Sequence, residues 1–236
     1  MLLRPAFAFL ALLSLLSPAS GESLNVKGEE ITAEKLATQF RAVVFKTESG
    51  QSKKLVRWAS PITVRMTGDG ADTYKPDVEK ILRALADRTR LPVRLANNNE
   101  PANLMIRFQP TAEIKKKFGN GFNCAGRFEG QAGTITRGEI YLPTDNERTR
   151  HCIAEEITQI LGLPNDTKII RNSLFNDDTP PTQVTLTIPD SILLATLYDK
   201  RIRANTTEAE AMPMVEKVLG EQLDNVIRQL KARKNP

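Results

Sequence analysis

The order in which strands and helices are predicted constrains this fold more than any single motif does. Short strands alternate with helices at first, and a run of helices then completes the chain. Strands are predicted at residues 56–66, 92–95, 103–108, 122–128 and 134–142. Helices are predicted after the cap Thr32 and at residues 74–90, 111–118, 146–163, 189–198 and 207–231. This order is typical of an α+β, or α/β-like, domain, and we expect a mixed twisted sheet with helices and a helical C-terminal part.

The first nineteen residues have the composition of a secretory signal peptide. Arg4 gives a positive start, residues 6–16 form an apolar run, and Ser17, Pro18 and Ala19 offer small residues for cleavage. The run is too short to cross a bilayer as a helix. The alternatives to a signal peptide are an N-terminal membrane anchor and a buried helix. We predict cleavage after Ala19 or Gly21, export to the periplasm or secretion, and no membrane segment in the mature protein.

The chain contains two cysteines, Cys124 and Cys152. An exported protein with an even number of cysteines usually pairs them, so we predict a disulfide between these two. The bond would close a loop of about 29 residues and stabilise the fold by about 3–4 kcal/mol. The alternatives are two free buried thiols or a metal site that uses both sulfurs.

The composition excludes several classes of function. His151 is the only histidine, so a site with three histidine ligands cannot be built from one chain. The formal net charge is +5, from 33 basic and 28 acidic residues that are interspersed. We find no basic stripe with interleaved aromatic residues, and therefore expect no nucleic-acid partner. The small excess of positive charge favours an anionic partner, such as an envelope surface, only weakly.

One face of the helix predicted at residues 146–163 is the candidate site. At 100° per residue, its apolar side chains lie on one side and its polar side chains on the other. The polar side carries His151, Cys152, Glu155, Glu156 and Gln159. Glu155 and Gln159 are one turn apart and could contact a single ligand or ion. On spacing alone, the simplest interpretation is a solvent-exposed helix face, with His151 at the surface or at the helix start.

The spacing of this segment resembles the zinc-binding motif of the metzincin peptidases. That motif is His-Glu-x-x-His-x-x-Gly-x-x-His, and the corresponding residues here are Glu155, Glu156, Gln159, Gly162, Asn165 and Asp166. The resemblance implies that Glu155, Gln159 and Asn165 occupy the three ligand positions. It also implies that Glu156 occupies the general-base position, and that the chain turns at Gly162 towards the third ligand position.

Further stretches extend the resemblance. Ser-Leu-Phe-Asn at residues 173–176 resembles the Met-turn beneath the metal, with Phe175 in the place of methionine. The chain after the leader also resembles a bacterial family of exported proteins called domain of unknown function 2927. The stretches that carry this resemblance are Glu-Glu-x-x-Gln-x-Leu-Gly-Leu-Pro-Asn-Asp, Ser-Leu-Phe-Asn-Asp and Leu-Tyr-Asp-x-Arg. The family implies a fold and a compartment, and no reaction is assigned to it.

Together with the composition of the N-terminal residues, the metzincin resemblance predicts a division of the chain into four parts. They are a signal peptide (1–19), a linker (20–30), a metzincin-like domain (31–205) and a C-terminal helix packed on that domain (206–236).

The substitutions at the ligand positions decide which cofactor to expect. Peptidase zinc is held by ligand sets that contain histidine, whereas Glu155, Gln159 and Asn165 offer only oxygen. We therefore predict no cofactor and do not expect zinc, although calcium or another hard ion is compatible with such ligands. Asp166 would add a second carboxylate to that set.

The preferred interpretation is a metzincin-like module without zinc peptidase activity. Its cleft would bind an extended peptide or another cell-envelope component, with the strand at 122–128 as the edge that receives it. One alternative is a hydrolase with a non-standard site, in which Glu156 is the general base. The other is a structural exported domain whose polar helix face pairs internally.

Overall fold

The computed structural model describes residues 22–46, 53–97, 99–176 and 178–234. The leader predicted at residues 1–19 lies outside these ranges. The described strands are β1 (Leu24–Val26), β2 (Glu29–Ile31), β3 (Arg57–Trp58), β4 (Ile62–Thr67), β5 (Val93–Leu95), β6 (Leu104–Gln109), β7 (Ala125–Gln131) and β8 (Thr134–Pro143). The described helices are α1 (Ala33–Phe45), α2 (Ala71–Thr89), α3 (Thr111–Phe118), α4 (Thr149–Gln159), α5 (Ile188–Leu197) and α6 (Glu208–Lys234).

The main sheet is mixed, as the order of elements predicts. Strands β5, β4, β6 and β8 are neighbours in that order and run parallel, and β3 runs parallel to the start of β8. Strand β7 lies antiparallel to β8 on its other side. Within the described part of the chain, β7 pairs with β8 alone and is therefore an edge strand. The predicted α+β class is thus confirmed.

The two faces of this sheet are covered differently. Alternate residues of β6 point into the main core, namely Leu104, Ile106 and Phe108. This core lies on the side of α2 and α4, which pack against each other and against the sheet. On the opposite face, α3 buries Ile114, and the ring of Phe118 lies 5.0 Å from that of Tyr141.

The C-terminal helices extend the same core. Helix α6 packs against α1 and α5, and its buried residues recur at helical spacing. They include Val215, Val218, Leu219, Leu223 and Ile227. In the described segments we find no helix that combines the length and the apolar character needed to cross a bilayer.

The segment predicted as a linker, residues 20–30, contains a β-hairpin instead. Strands β1 and β2 pair across a turn in which Gly28 has a positive φ of 79°. The Glu29 carboxylate is buried and accepts hydrogen bonds from the backbone N–H groups of Arg171 and Asn172. Strands of three residues are too short to show the alternation by which a strand is recognised, so the prediction of a linker is wrong here.

Candidate functional site

Two aromatic side chains hold the C-terminal end of α4. The last carbonyl groups of a helix have no partner within the helix. The indole Nε1 of Trp58 donates to the carbonyl oxygen of Ile160 at 2.9 Å, and the Tyr198 hydroxyl donates to that of Leu161 at 2.9 Å. Burial raises the pKa of Tyr198, so the phenol keeps the proton that it donates. The helix is thereby fixed to β3 and to the end of α5.

Helix α4 is shorter at both ends than the predicted range 146–163. At the start, the Asn146 side chain accepts a hydrogen bond from the N–H of Arg148 at 2.8 Å and forms a turn ahead of the helix. At the end, Gly162 has a φ of +114°, and a Cβ there would overlap the carbonyl oxygen of Val56. Glycine is required at this position, and the chain turns there towards residues 164–167.

A cleft with a volume of about 810 Å³ lies beside α4. Its walls are the start of β7, the loop of residues 164–167 and part of α1, and its floor is the polar side of α4. The candidate residues that line it are Cys124, Cys152, Glu155, Glu156, Gln159, Asn165 and Asp166. The structure thus brings together all the residues at predicted ligand positions and the predicted base. Gly162 and Phe175 lie outside its lining.

The predicted disulfide between Cys124 and Cys152 is present and joins the cleft wall at the start of β7 to α4. The described chain contains no free cysteine, so both alternatives for these residues are wrong. Glu155 has an oxygen within 4.8 Å of both sulfur atoms. Because the sulfurs are bonded to each other, they provide no thiolate for a metal ion.

Glu156 has the most unusual environment in the cleft. Glu156 is only 7% exposed, and no described residue donates a hydrogen bond to its carboxylate. Burial raises the pKa of Glu156 well above 4.5, and the charges of Glu155 and Asp166 add to that effect. A Cβ at Gly126 would lie 2.8 Å from Glu156 Oε2, so the glycine of the edge strand provides the space that this carboxyl occupies.

The amide side chains at the predicted ligand positions are held by neighbouring groups. Gln159 Nε2 donates to Asp166 Oδ1 at 2.6 Å, and Asn165 Nδ2 donates to the carbonyl oxygen of Ala42 at 3.1 Å. With Glu155, these residues supply oxygen ligands only, and the Asn165 amide is fixed to α1. Such a set does not suit zinc, which binds imidazole and thiolate preferentially.

His151 lies in the first turn of α4, which agrees with the predicted helix-start position, and it is fully buried, so the alternative of a surface position is wrong. Its Nδ1 lies 2.8 Å from the carbonyl oxygen of Gln183, which assigns the proton to Nδ1. Its Nε2 makes no hydrogen bond with any described residue and lies 3.5 Å from Glu155 Oε2. Burial lowers the pKa of His151 and favours the neutral ring.

The simple interpretation of a solvent-exposed helix face is also wrong. His151, Cys152 and Glu156 are buried, whereas Glu155 and Gln159 are half-buried. The segment that contains Gln183 covers one end of this face and strand β7 covers the other. The helical period shows which side chains share a face, but it contains no information about what packs on that face.

The turn at residues 173–176 contacts the loop that lines the cleft. Phe175 is fully buried, and its carbonyl oxygen accepts a hydrogen bond from the N–H of Thr167 at 2.7 Å. Asp190 of α5 holds this turn in place, because its carboxylate accepts a hydrogen bond from the Ser173 hydroxyl at 2.7 Å. The turn therefore positions the loop of residues 164–167 that lines the cleft.

Two residues of this arrangement were not predicted, although the sequence contains a signal for each. Asp190 forms a capping box with Thr187, and the pattern Thr-x-x-Asp before an apolar run indicates such a box. Gly126 lies within a strand, where glycine often marks the close approach of another group. Neither signal says that the group concerned belongs to a cleft.

Comparison with known proteins gives a family and nothing more specific. No curated protein matches the chain. The family model described as "Protein of unknown function (DUF2927)" matches residues 33–217, which include every residue that lines the cleft. Because the match spans well over half of the sequence, the chain belongs to the DUF2927 family.

Proposed function

We propose that this protein binds an extended peptide in the cleft between β7 and α4 and does not cleave it. The observation that carries the proposal is the position of the edge strand: β7 pairs with β8 on one side, and its first residues line the cleft. The unpaired backbone of an edge strand is a template to which a peptide adds as a further strand.

The side chains around this edge also suit a peptide. Phe122 lies at the cleft and is 38% exposed, which makes it one of the two large exposed hydrophobic residues of the described chain. Polar groups from α4 and from the loop of residues 164–167 also line the cleft. A cleft that combines an apolar contact, polar side chains and an open strand edge offers a peptide both backbone and side-chain partners.

The finer proposal for the fold is a metzincin-like module that has lost its metal. It is supported by the motif spacing, by the required glycine at Gly162, and by the buried turn around Phe175 next to the cleft. The donor set of Glu155, Gln159 and Asn165 offers only oxygen and does not suit zinc.

We also propose that the protein acts outside the cytoplasm, in the periplasm or as a secreted protein. The disulfide between Cys124 and Cys152 supports an oxidising compartment. The composition of residues 1–19 supports export by a cleaved leader. Components of the cell envelope are therefore the proposed source of the peptide.

A second candidate, a hydrolase that uses Glu156, is favoured by one observation. Burial raises the pKa of Glu156 above that of an ordinary glutamate, and acid–base catalysts often have pKa values shifted in this direction. This candidate predicts that peptides are cleaved in the cleft and that Glu156→Gln abolishes cleavage. Intact peptides after incubation with the wild-type protein would exclude it.

The test is a selection of random displayed peptides on the immobilised mature protein, followed by fluorescence anisotropy and mass spectrometry. We expect selected peptides to bind the wild-type protein and to remain intact. Gly126→Val places side-chain atoms where Glu156 Oε2 now lies, displaces that carboxyl group, and should weaken binding by at least about tenfold. The matched control is Gly220→Ala in α6, where a Cβ meets no atom within 4 Å. Failure to select any peptide, or equal binding by both variants, would overturn the proposal.

A further inference from the structure

The charge of the cleft is opposite to the charge of the whole chain. The sequence has a formal net charge of +5. The cleft floor and wall nevertheless contribute the carboxylates of Glu155, Glu156 and Asp166. A cation is therefore not attracted to the protein in general, and any attraction that it meets is local to this site.

Glu156 is the member of this group that indicates a ligand. Glu156 is more than nine-tenths buried and lines the cleft. No described residue donates a hydrogen bond to its carboxylate. A buried carboxylate without a donor costs stability unless a proton or a cation satisfies it. Glu156 Oε2 takes up the space left by the missing side chain of Gly126, so this oxygen lies against the edge strand.

The two basic residues of the cleft lining are held by groups at its margin. Arg148 donates from both Nη1 and Nη2 to the carbonyl oxygen of Thr179, each at 3.2 Å. Lys46 forms an ion pair with Glu208 Oε2 at 3.0 Å. Within the described part of the chain, neither of these two residues donates a hydrogen bond to Glu156.

The spacing of the carboxylates favours an organic cation over a metal ion. A bound metal ion requires several ligand atoms that each lie at about 2.0–2.6 Å from the ion. In the described part of the chain, the residues of metal-ligand type that converge within 4.8 Å are Cys124, Cys152 and Glu155, and the two sulfurs form the disulfide. Glu155, Glu156 and Asp166 do not converge in this way. A guanidinium or ammonium group on a flexible stem can contact carboxylates that are further apart.

The geometry of strand addition determines where such a group would come from. Side chains of a strand alternate between the two faces of its sheet. A peptide that adds to β7 therefore directs every second side chain towards α4, the side on which Glu156 Oε2 lies against Gly126. We propose that the peptide bound at β7 presents a lysine or arginine side chain at this position, where Glu156, Glu155 and Asp166 receive it. This inference rests on the proposed peptide-binding function and adds that the bound peptide carries a basic residue.

The test uses fluorescein-labelled peptides of one selected sequence that differ at one position. That position carries arginine, lysine, citrulline, norleucine or glutamate. Citrulline and norleucine are neutral analogues of arginine and lysine, so the series separates the effect of charge on affinity from the effect of side-chain length. We expect the arginine and lysine peptides to bind at least about tenfold more tightly than their neutral analogues, as is usual for charge-assisted hydrogen bonds. The preference should disappear in Glu156→Gln and weaken in Glu155→Gln.

The matched control is Glu113→Gln, on an exposed residue of α3 that lies outside the cleft lining. It should leave the preference for basic peptides unchanged. Equal affinity of the charged and neutral peptides for the wild-type protein would overturn this inference and leave the proposed function standing, whereas failure of all peptides to bind would overturn both. Displacement of the basic peptide by calcium chloride alone, at matched ionic strength, would assign the carboxylates to a metal and also overturn the inference. Because Glu155→Gln and Glu156→Gln test the same group separately, loss of folding in one variant leaves the other decisive.

Discussion

Two buried carboxyl groups of this protein, those of Asp190 and Glu156, lie in opposite environments. Asp190 is fully buried and accepts hydrogen bonds from Ser173, from the N–H of Leu174, and from both the N–H and the hydroxyl of Thr187. Glu156 is almost as buried, but no described residue donates to it. Burial is the largest cause of a raised pKa in both.

We propose that this difference separates a structural acid, Asp190, from a ligand-binding acid, Glu156. The donors around Asp190 satisfy its charge within the fold, and they connect α5 to the turn that supports the cleft. The charge of Glu156 is left for a proton or for a group that enters the cleft. Burial and a shifted pKa alone do not distinguish these two roles, whereas the number of internal donors does.

The largest effect is expected for Asp190→Ala. This substitution leaves several buried donors without an acceptor, so the free energy of unfolding should fall by about 4 kcal/mol. Urea unfolding followed by circular dichroism measures the loss. A loss below about 1 kcal/mol would show that the donors around Asp190 are satisfied without it.

The disulfide contributes next, because it ties the cleft wall to α4. Replacement of both Cys124 and Cys152 by serine should lower the free energy of unfolding by about 3 kcal/mol, through the entropy of the unfolded chain. The same urea titration applies. Hydrogen exchange should also quicken in β7 more than in β5, the strand at the opposite end of the sheet, and equal changes in both would contradict the local role of the bond.

A smaller effect is expected at the C-terminal end of α4. Tyr198→Phe removes the hydroxyl that donates to the carbonyl oxygen of Leu161 and accepts from the N–H of Trp58. Loss of these buried hydrogen bonds should cost about 1–2 kcal/mol. A variant as stable as the wild type would show that water replaces the phenol at this helix end.

The smallest effect on stability is expected for Glu156→Gln, and its sign is opposite. The pKa of Glu156 is higher in the folded protein than its ordinary value of 4.5, so ionisation is penalised by folding. The wild-type protein therefore loses stability from this group as the pH rises from 4.5 through the folded pKa, and Glu156→Gln does not.

Urea titrations at two pH values check this sign. At pH 5 the variant and the wild type should be nearly equal, and at pH 8 the variant should be the more stable by about 1 kcal/mol. A variant that is clearly less stable than the wild type at pH 8 would show that an internal donor satisfies Glu156. The contrast with Asp190 would then disappear.

Most helices and strands of this fold are predictable because their apolar residues recur with a regular period. The prediction for α3 agrees with the structure at both ends, and that for α6 differs by a few residues. The hairpin of β1 and β2 was not predicted because such short strands show no period. The cleft depends on tertiary packing: the sequence motif groups Glu155 with Gln159, but the burial of Glu156 and His151 arises from β7 and from the segment near Gln183.

The most direct test of peptide binding at β7 is hydrogen–deuterium exchange of the protein with and without a selected peptide. If a peptide adds to the edge strand, backbone amides of β7 should exchange more slowly in the complex. The amides of β5, which forms the opposite edge of the sheet, should be unchanged. Protection at β5 or elsewhere, with β7 unaffected, would contradict the account.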